Sequence, residues 1–423
     1  MGSSSTPLTL FYINLVLISV QSLKRQPPGR RMVEPSVSQN LPRADTIFFG
    51  VLGIPVLVYL GFWFYENLML FFSTGSINPS DFNYFWLVSD LLPDKAPHLA
   101  YDPEAYTREA STRFGEHKTL TAWPYPPHSW LLLWPLALIP LEPSFIVWEI
   151  LGVCLLGFAV YSTFGGSPSA ILFVLASPVV AINLRFGQIG SLTSALLIAG
   201  LGLIERRPYL SGLFFGLLTI KPTLGVLIPI ALIAGRHWRV FGSAVITTLC
   251  LVIGSIMIFG IKPWIIYLTV GISHVLDMQL TKSGTVASHI PTVTEAVQAI
   301  GFELDVALTA QLAIAVGCMI LVARVWHVSS SLRLCSALLM SCVILVPPYA
   351  LSYDLPITVV SALILIQEVG RDKGLIGEHS VVLLVWLLPA LMAILGSPIA
   401  PIVLLLLATA LTRRCLQARP QNF

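Results

Sequence analysis

The feature that most constrains this chain is an alternation of long apolar runs with short clusters of arginine and lysine. A bilayer offers no hydrogen bonds to a bare backbone, so such runs fold as membrane-crossing helices, each needing about 20 mostly apolar residues. Composition agrees with this. Of 423 residues, 56% are hydrophobic and 11% charged, whereas a soluble globular chain carries about 25% charged residues. The formal net charge of +3 is too small to point to nucleic acid, and no nucleic-acid partner is expected. Cys154, Cys250, Cys318, Cys335 and Cys342 lie inside apolar runs, Cys415 at the end of one, and no Cys-x-x-Cys occurs. That is the pattern of packing residues rather than of metal ligands or redox centres.

Residues 1–45 read as an N-terminal extension, interfacial or disordered. The apolar run at 8–20 is short, lacks a basic segment before it and has no small-residue cleavage site after it, unlike a signal peptide. The first crossing is expected over 46–72. A polar segment, 73–123, follows at once and carries Asp81, Asp90, Asp94, Asp102, Glu104, Glu109 and Glu116. Loops this long usually have a function, and the tyrosine and tryptophan content puts part of it at the membrane interface. Further apolar runs fall at 126–140, 145–161, 170–182, 192–204, 210–220, 225–234, 240–259, 306–321, 334–346, 357–366, 381–395 and 402–411. The expected fold is an all-α polytopic bundle of about ten to thirteen transmembrane helices. It forms one domain, 46–415, followed by a cytoplasmic tail, 416–423.

Basic residues mark the cytoplasmic ends of membrane helices. Arg206/Arg207, Arg236/Arg239, Arg324/Arg333, Arg371/Lys373 and Arg413/Arg414 recur at intervals that let them all be cytoplasmic. The segments 73–123 and 262–305, the corner 346–354 and the turn at Lys221 then face the opposite side. Counting forward from the first helix gives a parity conflict between Pro140 and Arg185. One apolar run there must be re-entrant or fail to cross.

Several polar residues stand where a membrane makes them expensive. Asp81 opens Asp81-Phe82-Asn83-Tyr84 just beyond the first helix. A carboxylate bordering low dielectric is costly unless paired or useful, and desolvation makes it a better base near neutrality; Ser80-Asp81 also has the form of a helix cap. Lys221, in Leu218-Thr219-Ile220-Lys221-Pro222, is a lone cation in an apolar stretch, so it is paired or functional. Arg185, in Arg185-Phe186-Gly187-Gln188, is either a topology signal or a phosphate ligand. Asp354, closing Pro347-Pro348-Tyr349-Ala350-Leu351-Ser352-Tyr353-Asp354, either orients a substrate hydroxyl or caps the next helix. Trp123-Pro124-Tyr125-Pro126-Pro127-His128 reads as a rigid interfacial anchor. His274 and His289 read as solvated loop histidines. There is no Gly-x-x-x-x-Gly-Lys-Ser/Thr, no His-Glu-x-x-His and no Asp-x-Asp, which disfavours a soluble nucleotide-driven enzyme.

These residues, in this order, resemble the GT-C membrane glycosyltransferases, most closely the family-87 mannosyltransferases that use polyprenyl-phosphate mannose. The resemblance is carried by Asp81-Phe82, Tyr101-Asp102, Tyr125-Pro126-Pro127, Gly187-Gln188, Gly212-x-x-x-Gly216 with Lys221-Pro222, and Arg236-His-Trp-Arg239. It spans residues 46–370. It departs at the 347–354 corner, where the family often carries a Ser-Pro pattern with a histidine.

The resemblance implies an inverting transfer of a hexose, mannose first among the choices, from a polyprenyl-phosphate donor to a lipid or glycan acceptor on the extracytoplasmic face. Asp81 is then the general base. Lys221, with Arg185 second, stabilises the departing phosphate. Gln188, Tyr125, His128, Tyr353 and Asp354 contact substrate. No cofactor and no metal are implied. The partners are the donor, the acceptor and membrane lipids, and the location is a cell membrane, the inner membrane of a bacterium. The rival reading is a transporter or flippase of lipid-linked sugars, which predicts functional charges near the bilayer midplane rather than gathered near one face.

Overall fold

The computed structural model describes residues 43–74, 81–92, 97–115, 123–271, 289–371 and 377–417. Most of the N-terminal extension, His274 and the end of the tail lie outside these residues. Within them the regular structure is entirely helical, with nineteen α-helices and no strand.

Helix α1 (Arg43–Thr74) carries Pro55 inside a continuous apolar run. Beyond it, α2 (Phe82–Leu91) and α3 (Pro103–Phe114) fold the acidic segment into two short helices. Asp102 caps α3, its Oδ1 accepting from the Glu104 and Ala105 N–H groups at 3.1 Å each. A four-residue α4 (Trp130–Leu133) leads to α5 (Leu141–Thr163), then α6 (Pro168–Leu175), α7 (Pro178–Phe186), α8 (Gly190–Leu203), α9 (Pro208–Leu218), α10 (Leu227–Ala234) and α11 (Trp238–Phe259). The short α12 (Lys262–Ile266) and α13 (Val293–Ala299) precede α14 (Leu304–Val328), α15 (Leu332–Cys342), α16 (Pro356–Arg371), α17 (Glu378–Trp386), α18 (Leu388–Leu395) and α19 (Ile399–Gln417).

Among the described residues five helices are long and apolar enough to cross a membrane: α1, α5, α11, α14 and α19. Two pairs pass the same test but bend, α6 with α7 by 57° and α17 with α18 by 74°. Prolines lie beside both breaks, at Pro178 and Pro389, where the missing N–H and the ring disrupt a continuous helix. By length and composition the described residues thus hold five spans, or seven with each bent pair as one, fewer than the expected ten to thirteen; five further apolar helices are shorter than a full span. The Gly212-x-x-x-Gly216 face of α9 meets α11 at close range. A methyl on Gly216 would sit 2.4 Å from Thr247 Cβ, so small residues set this approach of two backbones.

The expected run at 126–140 is not a crossing. It breaks into 3₁₀ turns at Pro127–Ser129 and Trp134–Leu138 around the single turn of α4. Prolines 126, 127, 135 and 140 prevent a continuous helix. The segment packs against α2, with Ser89 Oγ donating to Leu133 O at 2.7 Å and Trp86 Nε1 to Ile139 O at 3.1 Å. It is one of the apolar runs between the first helix and Arg185 that, as expected from the parity count, does not form a crossing helix.

Contacts at the helix ends sort the molecule into two ends. At one, Arg333 reaches Glu368 Oε1 at 3.1 Å and lies 5.6 Å from the Phe164 ring, joining the ends of α5 and α16 to the start of α15. Arg414 pairs with Glu378 at 2.7 and 2.5 Å, joining the end of α19 to the start of α17. His237 meets Trp326 edge to face at 5.9 Å. Arg333, Arg414 and the turn that holds His237 therefore gather at one end. Asp81, Gln188, Lys221 and Asp354 gather at the other.

Candidate active site

Asp81 stands at the head of α2 but does not cap it with its side chain. Its backbone N–H donates to Phe186 O at 3.0 Å, which docks the start of α2 onto the end of α7. The turn at Gly187 then delivers Gln188, whose Nε2 donates to Asp81 Oδ2 at 2.7 Å. Trp148 Nε1 donates to Gly187 O at 3.2 Å and fixes that turn from α5. The carboxylate is thus aimed by the α7–α8 turn.

Lys221 closes the turn after α9, and its Nζ meets Asp354 Oδ1 at 2.5 Å. Both side chains are buried, with 11% and 2% of their surfaces exposed. The Leu351 N–H donates to Asp354 Oδ2 at 3.4 Å. The ammonium also lies 4.9 Å from the Tyr353 ring centroid and 6.0 Å from that of Tyr125, within cation–π range. Asp354 thus holds the Lys221 cation with one oxygen and closes the 3₁₀ turn Ser352–Asp354 with the other.

Three buried or half-buried tyrosines feel the charge of both carboxylates. Burial pushes the phenols of Tyr125, Tyr349 and Tyr353 up, and the charges of Asp354 and Asp81 add to the effect on each. All three remain protonated donors at neutral pH, and both carboxylates lie within electrostatic reach of all three. The 347–354 corner is tied to the Asp81 side by Asn183, whose Nδ2 donates to Tyr353 O at 3.1 Å while its Oδ1 accepts from Ser191 Oγ at 3.1 Å. Gly190 makes this approach possible. A methyl there would lie 1.9 Å from Tyr353 O.

A family model, glycosyltransferase family 87, matches residues 123–348, more than half of the chain. The chain belongs to glycosyltransferase family 87. Searches of curated proteins and of solved structures return no significant match. The matched span holds Tyr125, His128, Arg185, Gln188 and Lys221. Asp81, Tyr353 and Asp354 lie outside it and are joined to it by the contacts above. The protein is a membrane glycosyltransferase by family and by its apolar helices.

Other expected residues of the glycosyltransferase are less central. Arg185 is exposed at the end of α7, with Nη1 2.5 Å from Tyr59 OH and no carboxylate at ion-pair distance among the described residues. His128 is buried, stacked on Trp264 at 5.7 Å and 9°, with Nε2 3.1 Å from Thr219 Oγ1. Burial pushes it down to about 4, against a smaller opposing effect of Thr219. It reaches the site through Thr219, next to Lys221's turn. Tyr101 of the Tyr101-Asp102 pair donates from its hydroxyl to Tyr125 O at 2.7 Å.

His289 differs from its expectation. Rather than lying in solvent, it is half-buried at the site, edge-on to Phe186 at 5.9 Å and 3.4 Å from Ser352 Oγ. Burial, then the nearby Arg185 charge, push it below its ordinary value. Asn183 and Tyr349 also belong to the cluster. Asn183 sits mid-run between apolar neighbours, and a buried amide in such a run was the available signal. Among the described residues, no three His, Cys, Asp or Glu side chains come together as metal ligands.

Proposed function

We propose that this family-87 protein transfers a hexose, mannose by its resemblance, from a polyprenyl-phosphate donor to a lipid or glycan acceptor, with inversion. It works on the extracytoplasmic face of a cell membrane, the inner membrane of a bacterium. The observation that carries the reading is the seating of Asp81. Its carboxylate accepts from Gln188 at the end of the bundle away from Arg333 and Arg414, amid the Tyr125, Tyr349 and Tyr353 phenols.

In the proposed step Asp81 takes the acceptor hydroxyl proton as that oxygen bonds to the anomeric carbon. The anomeric carbon–oxygen bond breaks on the opposite face, and polyprenyl phosphate departs with the bonding pair. A departing phosphate needs cationic stabilisation. Lys221 is already paired with Asp354, so Arg185, exposed and without a carboxylate partner among the described residues, is the favoured ligand for the phosphate. Lys221 and Asp354 are assigned to holding the 347–354 corner, which presents Tyr349 and Tyr353 to the sugar or acceptor.

The test is donor choice. Purified protein in lipid nanodiscs is offered labelled polyprenyl-phosphate mannose, polyprenyl-phosphate glucose or a nucleotide-linked mannose, each with a lipid extract. Transfer is expected from a polyprenyl-phosphate sugar. Transfer from the nucleotide donor alone would overturn the reading.

A further inference from the structure

Helix α5 carries one acidic residue at membrane depth, Glu149, about 12 Å along the helix from Leu141 at the usual rise. Ionisable residues inside a membrane span are rare and by default functional. Glu149 Oε1 is buried and accepts or donates no hydrogen bond to any described protein atom. The same is true of Gln188 Oε1. Both residues line one cavity of about 10 Å³, together with Trp148, Asn183 and Ser191 and with the apolar Leu151, Leu155 and Leu192. That is at the threshold for a single water, and the two unpartnered oxygens, Glu149 Oε1 and Gln188 Oε1, supply the minimum of two polar partners a buried water requires.

The chemistry fixes which end of Gln188 faces the cavity. An ionised Asp81 carboxylate only accepts hydrogen bonds, so the amide nitrogen must face Asp81 and the amide oxygen must face away. That oxygen then needs a donor. Leaving it without one permits the amide to turn over, presenting its oxygen to Asp81 and repelling the carboxylate. No described cation pairs with Glu149, and an unpaired carboxylate ion at this depth is costly, whereas a carboxylic acid has an O–H to give.

We propose that Glu149, as the neutral acid, is a positioning residue for the transfer reaction. It donates to a water in this cavity, the water donates to Gln188 Oε1, and the amide is thereby locked with its N–H on Asp81. The proposal rests on Asp81 being the base.

The full chain in lipid nanodiscs provides the test. Infrared difference spectra between wild type and Glu149→Gln are expected to contain the C=O band of a protonated carboxylic acid. Its absence overturns the neutral acid whatever the rates. Transfer from labelled polyprenyl-phosphate mannose into a lipid extract is then measured for Glu149→Leu, Glu149→Gln, Gln188→Leu and the Glu149→Leu/Gln188→Leu double variant, with thermal melting as folding control. Glu149→Leu is expected to lower kcat about tenfold with KM unchanged, and Glu149→Gln, which keeps a donor, to recover most of the rate. The double variant is expected to be no slower than Gln188→Leu. Full activity in Glu149→Leu, an equally slow Glu149→Gln, or losses that multiply in the double variant would each overturn the proposal. Undiminished transfer by Asp81→Asn would instead sink the base assignment, while the infrared band and the coupling of 149 to 188 still decide the contact.

Discussion

The Lys221–Asp354 pair permits a quantitative prediction. The two charges are 2.5 Å apart, with 11% and 2% of their side-chain surfaces exposed. Lys221→Met leaves a carboxylate buried among Tyr125, Tyr349 and Tyr353 without its cation, and Asp354→Asn leaves the reverse. Removing one partner of a buried pair costs roughly 3–5 kcal/mol, whereas replacing both with neutral groups is often nearly neutral. For a chain of 423 residues such a loss lowers Tm by on the order of 4 °C if unfolding is cooperative. Melting in nanodiscs of the two single variants and of Lys221→Met/Asp354→Asn checks this. The double variant is expected to melt above either single one. Single variants that melt like wild type, or a double variant whose loss equals the sum of the two, would show that the pair does not hold the corner.

Other consequences follow from the same geometry. Arg185→Gln is expected to weaken donor binding and lower turnover, by about 3 kcal/mol if the whole electrostatic contribution resides there; unchanged kinetics would remove it from the phosphate site. Folded His128 holds its proton less tightly than the unfolded chain, about 4 against 6.5. Its burial therefore contributes stability above pH 6.5 that is lost as pH falls towards 4, on the order of 3 kcal/mol in all. Melting curves across that window should show the fall in wild type and lack it in His128→Gln. For sidedness, single cysteines at Arg108, Glu303 and Glu205 in a cysteine-free background are to be treated with an impermeant thiol reagent on intact cells. The first two are expected to react and the third to be protected; the reverse pattern inverts the topology.

Much of the fold was legible because a membrane imposes simple rules. Most apolar runs became helices, and two of the arginines read as cytoplasmic, Arg333 and Arg414, pair with Glu368 and Glu378 at helix ends. The run at 126–140 misled because apolar content alone does not make a helix; its four prolines were the better guide. Of the candidate site, Lys221 drew notice as a lone charge among apolar neighbours and Asp81 by its place just beyond the first helix. Pairing was not, because Lys221 and Asp354 are joined only by the packing of distant helices. His289 was illegible for the same reason: its surroundings, Phe186 and Ser352, are remote in sequence. Glu149 and Asn183 each sit singly in an apolar run, and their meaning emerges only when α5, α7 and α8 are packed together.

Asp81 is the proposed acceptor of the hydroxyl proton. Asp81→Asn keeps the side chain's size but cannot take the proton, so it is expected to fold and still bind a polyprenyl-phosphate donor. The measurement is its rate of transfer from labelled polyprenyl-phosphate mannose into a lipid extract, beside thermal melting and donor binding. Loss of a general base lowers the rate by about a hundred- to ten-thousand-fold, and a loss of that size with intact melting and binding is predicted. Transfer at near-normal rates by a well-folded Asp81→Asn, with Asp354→Asn inactive, would contradict the account and pass the role of base to Asp354.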